Sequence, residues 1–265
     1  VNSIDKFAGA INYVHKAFNK PARVIGGRFQ EAKEGFSKAC KLRKTELGLM
    51  TFRALLPAHG MIHLLQVLLG YEAEENWLWV DRGVAILAKC LTWVRAVSIG
   101  ASIPGDFCLG GPGLDRVIIT IRKTKCGEEE FVPIQLTIPF PNPEDGNEVA
   151  ALVMGIVRRT LIRNPKLCAA SLDITPSSAA GKMTDWMRHF MPKRVLRLPQ
   201  GHFISSHSSR DTGATHARRS VYPRCDWETV MSWGGWITEL RCKGYIKPAQ
   251  PSDFWRKFHY WLSPN

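Results

Sequence analysis

Apolar residues return every three or four positions along most of the chain, and only one short stretch breaks into a β-branched run. Ile4, Phe7, Ile11, Val14 and Phe18 predict a helix over 3–18, capped by Ser3 and ended by Pro21. Phe29, Ala32, Phe36 and Ala39 predict a second, running to about Cys40. Residues 58–69 and 76–98 also read as helices. The latter carries Val80, Val84, Leu87, Leu91 and Val94 as a core stripe, with Arg95 beside its last turn. Val117 to Ile121 reads as a strand, Arg122 to Gly127 as a polar turn and Phe131 to Ile138 as the returning strand, a hairpin with Lys125 near its tip. Further helices are expected over 147–163, 178–190, 206–219, 226–233 and 252–262. The Pro/Ser break at Thr175-Pro176-Ser177-Ser178 places the two serines as the N-terminal cap of the helix over 178–190. The pattern predicts a mostly α fold with a small antiparallel β-sheet.

Between the second helix and Leu55 lies Lys41-Leu42-Arg43-Lys44-Thr45-Glu46-Leu47-Gly48, a basic stretch with a glycine that reads as an interdomain linker. It divides the chain into residues 1–45, a partial helical domain, and 46–265. Two helices in forty residues bury too little surface to stand alone, and the chain opens on Val1 rather than Met, so the first domain is expected to be truncated.

Charge narrows the partners. Thirty-six Lys and Arg against 23 Asp and Glu give +13, a balance that favours a polyanion. Seven cysteines lie far apart with no CxxC pair, which argues against a disulfide framework and for a reducing compartment, not secretion. No stretch of ~18 apolar residues is present to span a bilayer, and no membrane partner is expected.

Candidate chemistry concentrates in His207-Ser208-Ser209-Arg210, followed 24 to 26 residues later by Gly234-Gly235-Trp236, with Tyr245 nine residues beyond Trp236. Upstream stand Arg95, in Trp93-Val94-Arg95-Ala96-Val97, and Lys125, in the Thr124-Lys125 turn. In this order and spacing the blocks resemble the tyrosine recombinase (phage integrase) family over about residues 50–250; residues 1–40 match loosely the DNA-clamping helices of that family's first domain.

The resemblance implies a catalytic domain over 46–265 behind a partial core-binding domain, and DNA strand cutting and rejoining through a 3′-phosphotyrosine. It also implies the residue roles. Arg95 and Arg210 fork onto the non-bridging phosphate oxygens. His207 holds a phosphate oxygen or moves the tyrosine proton, the Trp236 indole donates to the phosphate, and Lys125 protonates the departing 5′-oxygen. Tyr245 is the nucleophile, and because the covalent bond conserves the energy of the phosphodiester, no cofactor or metal is required. Lys123 or Arg122 stands as the alternative to Lys125, and Tyr222 as the alternative to Tyr245. The family carries an acidic residue three positions after the first Arg; this chain has Ser98, with Asp106 as a substitute. His202, His207, His216 and Cys225 match no familiar zinc-ligand spacing.

Double-stranded DNA is the implied partner, gripped by a homotetramer on two sites. Arg43 and Lys44 would touch the minor groove or phosphates. Lys182, Thr184, Asp185 and Arg188 are candidates for base reading from the helix over 178–190, and Lys193, Arg194 and Arg197 for phosphate contacts. The final helix places Phe254, Phe258, Trp261 and Leu262 on one face after Pro248 and Pro251, and the resemblance implies that it docks in a neighbouring subunit. A type IB topoisomerase, a telomere resolvase and a catalytically silent DNA-binding relative are the rival readings.

Overall fold

The computed structural model describes residues 31, 34–40, 52–122, 133–219, 225–249 and 252–262. The chain divides into two compact units, Val1–Phe52 and Arg53–Asn265. In the first, residues 34–40 are helical; the helix predicted over 3–18 and the linker residues Arg43 and Lys44 fall outside the described residues.

The second unit is mostly helical. Helices α1 (Ala58–Ala73) and α2 (Trp77–Thr92) pack together through Leu64, Leu65 and Leu68 of one and Val84, Leu87 and Leu91 of the other. Gly83 makes the approach close, since a Cβ there would overlap Leu68. Helices α4 (Glu148–Arg163) and α5 (Ala179–Phe190) add Val153, Met154 and Val157, and Met183, Met187 and Phe190, to the same core. Two short turns of helix, α3 (Ala96–Ile99) and α6 (Lys193–Leu196), follow α2 and α5.

The sheet has three antiparallel strands in the order β1 (Phe107–Gly110), β2 (Arg116–Ile121) and β3 (Ile134–Pro139). Val117 faces Ile138 and Ile119 faces Leu136; the buried and half-buried positions of β2 alternate, as a sheet with one packed face requires. β2 and β3 are the expected hairpin. β1 was not expected, because four residues ending in Leu109-Gly110 carry too little alternation to announce a strand. Lys125 and the rest of 123–132 fall outside the described residues.

The predicted single helix over 76–98 is broken. α2 ends at Thr92, and Trp93 takes a left-handed backbone (φ 54). A bulky residue in that region costs of the order of 1–3 kcal/mol and persists only where its surroundings over-determine it. Here they do: the Trp93 side chain is wholly buried, its backbone N–H bonds to the Lys89 carbonyl at 3.0 Å, and Nε1 donates to His259 Nε2 at 3.2 Å. The periodicity could not reveal the break, since Val94 stays in the core after the turn.

Three helices follow, α7 (Ser208–Arg219), α8 (Trp227–Gly234) and α9 (Glu239–Lys243), and then α10 (Asp253–Phe258) with a last 3₁₀ turn at Tyr260–Leu262. The expectation that this tail docks elsewhere is corrected: it packs on its own unit. Trp255 and Phe258 are buried in the core, Asn147 Nδ2 donates to the Lys257 carbonyl at 2.9 Å, and His259 meets Trp93. The aromatic face is buried in cis, with α10 packed against α4 and α7. Ser178 precedes α5 but does not bond its first turn; its hydroxyl instead accepts the Thr175 N–H at 2.9 Å. Among the described residues no helix is long and apolar enough to cross a membrane.

Candidate active site

α7 is the frame of the site. It contains no large apolar side chain, yet Ser208 through Ala217 are all buried. A polar helix can sit in a core only if its groups are satisfied, and nearly every one is. Thr212 Oγ1 accepts the Leu56 N–H at 2.7 Å, Ser209 Oγ accepts from Lys89 Nζ at 2.7 Å, and Thr215 Oγ1 accepts the Lys247 N–H at 3.0 Å. Gly213 leaves room for the Trp93 indole, which a Cβ would overlap.

Arg210 lies at the centre, only 1% exposed. Its Nη1 donates to the Trp93 carbonyl at 2.6 Å and its Nη2 to the Gly234 carbonyl at 2.9 Å, while Nε has no partner among the described residues. The strained turn at Trp93 therefore aims a carbonyl at the guanidinium, and Gly234-Gly235-Trp236 supplies the second. A Cβ on Gly234 would overlap the Trp236 ring, and Gly235 takes φ 63 at the C-terminus of α8. Both glycines are needed for the indole to fold back over Arg210, with the guanidinium carbon 4.3 Å from the ring centroid.

Trp236 is itself buried, and its Nε1 has no hydrogen-bond partner among the described residues. Tyr245 completes the stack: its ring centroid is 5.0 Å from that of Trp236 and 5.2 Å from the Arg210 guanidinium carbon. The Tyr245 carbonyl is tied to α7 by the Thr215 hydroxyl at 3.3 Å.

Arg95 occupies the position before α3, just past the Trp93 turn, without bonding the helix through its side chain. It lines a small pocket with Arg210, Ser98, Ile121, Gly234 and Gly235. Burial draws the Arg210 guanidinium below its ordinary value, to about 10; Tyr245 opposes this and Arg95 adds to it. Two guanidiniums lining one pocket are poised for an anion that would balance the charge they bring together.

His207 stands one residue before α7, its carbonyl accepting the Arg210 N–H at 3.0 Å. Burial pulls its imidazole down to about 4, helped by Lys89, Arg53 and Arg210 and opposed by Asp211. It is a neutral imidazole at physiological pH, able to accept a proton.

Three residues of this neighbourhood went unread in the sequence. Lys89 is fully buried under α7; its Nζ donates to the Val94 carbonyl at 3.0 Å and to Ser209, and burial and Arg210 push it down to about 7. Arg53 grips Asp211 with two bonds, Nε to Oδ2 at 2.5 Å and Nη2 to Oδ1 at 3.0 Å. Asp211 is wholly buried beside Arg210. The only available signal was a charged residue immediately after Arg210 in a stretch with no apolar side chain. Its partner lies 158 positions away.

Asp106 does not buttress Arg95 or His207. Its buried carboxylate accepts from Arg122 Nε at 2.8 Å and from the Ile103 N–H at 2.8 Å, fastening the loop before β1 to the end of β2. Arg122 is committed to that pair. Ser98 is buried in the Arg95 pocket. Tyr222 lies outside the described residues. No three His, Cys, Asp or Glu side chains converge as metal ligands among the described residues.

On α5, Lys182 pairs with Asp173 at 2.7 Å and Arg188 with Asp185 at 3.5 Å. The Thr184 hydroxyl accepts the Ser206 N–H at 2.9 Å and donates to the Ala180 carbonyl, so it links α5 to the loop before α7. Arg194 and Arg197 line a cleft of about 510 Å³ with His59, His63 and Gln66 of α1, and Lys193 is at the start of α6.

No family model matches the chain, and no curated protein matches it. Among solved structures it is similar to a lambda integrase (75–356) dimer bound to a COC′ core site, at 14% identity and a TM-score of 0.46, over 91% of this chain and 79% of that one. It is also similar to a lambda integrase tetramer bound to a Holliday junction, at 15% identity and a TM-score of 0.47, over 91% of this chain and 64% of that one. At that identity neither assigns a role to a residue here.

Proposed function

We propose that the chain is a tyrosine-type DNA strand transferase, a site-specific recombinase. One observation carries the reading. Arg95, Arg210, Trp236 and Tyr245 converge, and two buried donors among them, Arg210 Nε and Trp236 Nε1, lack an acceptor among the described residues. Buried donors left over in a cationic cluster call for an anion. A phosphodiester supplies the acceptor oxygens and the charge.

In this mechanism Arg95 and Arg210 hold the non-bridging oxygens, and the Trp236 indole donates to one of them. Neutral His207 takes the Tyr245 proton. The phenolate oxygen bonds to phosphorus as the bond to the 5′-oxygen breaks, leaving a 3′-phosphotyrosine; Lys125 protonates the leaving oxygen. A free 5′-hydroxyl of a partner strand reverses the step, and the assembly that aligns partner strands is a tetramer on two DNA sites. The blocks from Arg95 to Tyr245 resemble the pattern of Cre recombinase. Lys182, Asp185, Arg188, Lys193, Arg194 and Arg197 are the proposed DNA contacts, with Arg43 and Lys44 ahead of them. The +13 charge supports a polyanionic partner.

Trapping on nicked DNA tests the reading. Tyr245→Phe is expected to abolish the covalent adduct while leaving non-covalent binding unchanged, since one hydroxyl is removed. An adduct that survives in Tyr245→Phe overturns the assignment of the nucleophile, and no adduct with the unaltered chain favours a silent DNA-binding relative. Relaxation of supercoiled plasmid lacking any recombination site would point to a topoisomerase. A 5′-thiol leaving group should rescue Lys125→Ala and not Arg210→Ala, because a thiolate leaves without a proton.

A further inference from the structure

Lys89 takes no part in the mechanism above, yet it is bonded to the neighbours of groups that do. From Gly83 to Thr92 every residue of α2 is buried, and Lys89 is the one charged side chain in that run. An amino group so placed is costly unless its donors are used. They are: Nζ donates to the Val94 carbonyl at 3.0 Å and to the Ser209 hydroxyl at 2.7 Å. Both contacts are hydrogen bonds to uncharged groups.

The Val94 carbonyl belongs to the peptide that leads into Arg95, and Ser209 directly precedes Arg210 on α7. The Ser209 hydroxyl passes the contact on, donating to the Ser206 carbonyl at 3.1 Å, in the peptide that leads into His207. Lys89 also holds the strained turn from its other end, since its own carbonyl accepts the Trp93 N–H at 3.0 Å. Two consecutive carbonyls of that turn thus meet two buried side chains. Trp93 offers its oxygen to Arg210 Nη1, and Val94 offers its oxygen to Lys89 Nζ. Arg95 begins where this clamp ends, and its side chain does not bond α3.

We infer that Lys89 is a positioning residue: by holding the Val94 carbonyl and the Ser209 hydroxyl at once, it fixes Arg95 relative to Arg210, so that both guanidiniums meet one phosphate. It acts on the reacting atoms through those two arginines and does not touch DNA. The inference rests on the proposed phosphate-holding roles of Arg95 and Arg210, but its first test does not need the reaction.

Inorganic phosphate can be titrated calorimetrically into the full chain without DNA, comparing the unaltered chain, Lys89→Met, Arg95→Ala and the double variant. Methionine keeps the length and apolar fit of the lysine and removes its donors. Lys89→Met is expected to weaken phosphate binding by about fivefold where Arg95 is present and by less than about twofold where it is alanine, since the group it positions is then gone. Equal factors in the two backgrounds would mark a general effect on the fold and overturn the inference, as would no effect in either. Phosphate binding that Arg95→Ala leaves unchanged removes the two-arginine site and the inference with it. Where urea unfolding shows that Lys89→Met does not fold, Ser209→Ala, which removes one end of the bridge, takes its place in the same cycle. Its effect should again depend on Arg95, and independence overturns the inference.

On nicked DNA, Lys89→Met is expected to slow adduct formation about ten- to a hundredfold at saturating DNA while leaving DNA affinity unchanged. A 5′-thiol leaving group should not restore the rate; restoration would make Lys89 a proton donor and overturn the positioning role. Weaker DNA binding with an unchanged rate overturns it too. Absence of any adduct with the unaltered chain, beside a Lys89 effect on phosphate that depends on Arg95, would sink the reaction and leave the clamp standing.

Discussion

Helices α5 and α7 are each 12 residues long and neither is rich in apolar side chains, yet they reach the core by opposite routes. α5 sorts itself: Met183, Trp186, Met187 and Phe190 face inward, while Asp185 and Arg188 stay exposed and Lys182 partly so, each paired with a carboxylate or guanidinium neighbour. α7 has nothing to sort. From Ser208 through Ala217 it is buried and held by partners from four other segments, through Leu56, Lys89 and Trp93, Gly234, and Lys247. The first helix would survive the exchange of any surface residue. The second is a polar network in a low-dielectric setting, where each unmade bond is expensive and each cation is felt by its neighbours. Such a network costs stability that an apolar helix would not.

The widest separation between the two helices is expected in catalysis. Arg210→Ala should lower adduct formation by two to three decades, roughly 3–4 kcal/mol of transition-state stabilisation, whereas Arg188→Ala leaves the chemical step at saturating DNA unchanged. Single-turnover trapping measures both. A smaller gap appears in packing. Gly213→Ala drives a methyl into the Trp93 indole and should cost about 1–3 kcal/mol. Gly181→Ala on α5 meets open space and should gain about 0.5–1 kcal/mol from helix propensity. Urea unfolding of the two variants reads the difference directly, and equal effects would erase the contrast.

Acid should act on α7 more than on α5. Burial holds His216 at about 4 and His259 at about 3, against roughly 6.5 in an unfolded chain. The unfolded state therefore binds more protons, and stability is full above about pH 6.5 and falls as the pH drops toward 4. His216→Phe, which keeps a ring against Trp255 but cannot titrate, should shrink the loss between about pH 7.5 and 5. The smallest effect is on α5: Arg188→Ala should change stability by less than about 0.5 kcal/mol, its ion pair being exposed. Its DNA affinity should lose salt dependence by roughly 0.9 in log–log slope if Arg188 meets a phosphate.

The same contrast decides what could be read before the structure was seen. α5, α4 and the β2–β3 hairpin were legible because burial imposes a period on their apolar residues. α7 was legible only through the spacing of His207, Arg210, Gly234, Gly235 and Trp236, since Ser, Thr, Asp and Ala have no period to betray an enclosed helix. The glycines mattered for a reason that spacing hides: one makes room for a ring and the other turns the chain. What escaped was everything set by distant partners. Arg53 meets Asp211 and Lys89 meets Ser209 across more than a hundred residues, and no local pattern encodes such meetings. The break at Trp93 escaped because the apolar stripe runs straight through it. The fate of the last helix escaped because an aromatic face announces burial without saying against what.

The bond from Trp93 to His259 also sets an order in time. The carbonyl that steadies Arg210 belongs to Trp93, and the indole of Trp93 is fastened by a residue 166 positions later. A growing chain that has just emerged as far as Ile246 already carries Arg95, Arg210, Trp236 and Tyr245. It does not yet carry Trp255, Phe258 or His259, so the indole of Trp93 lacks the acceptor that fastens it. Synthesis thus delivers the groups of the proposed site first and this fastening afterwards, and a nascent chain still tethered to the machinery that makes it holds Tyr245 before the frame around Trp93 is complete.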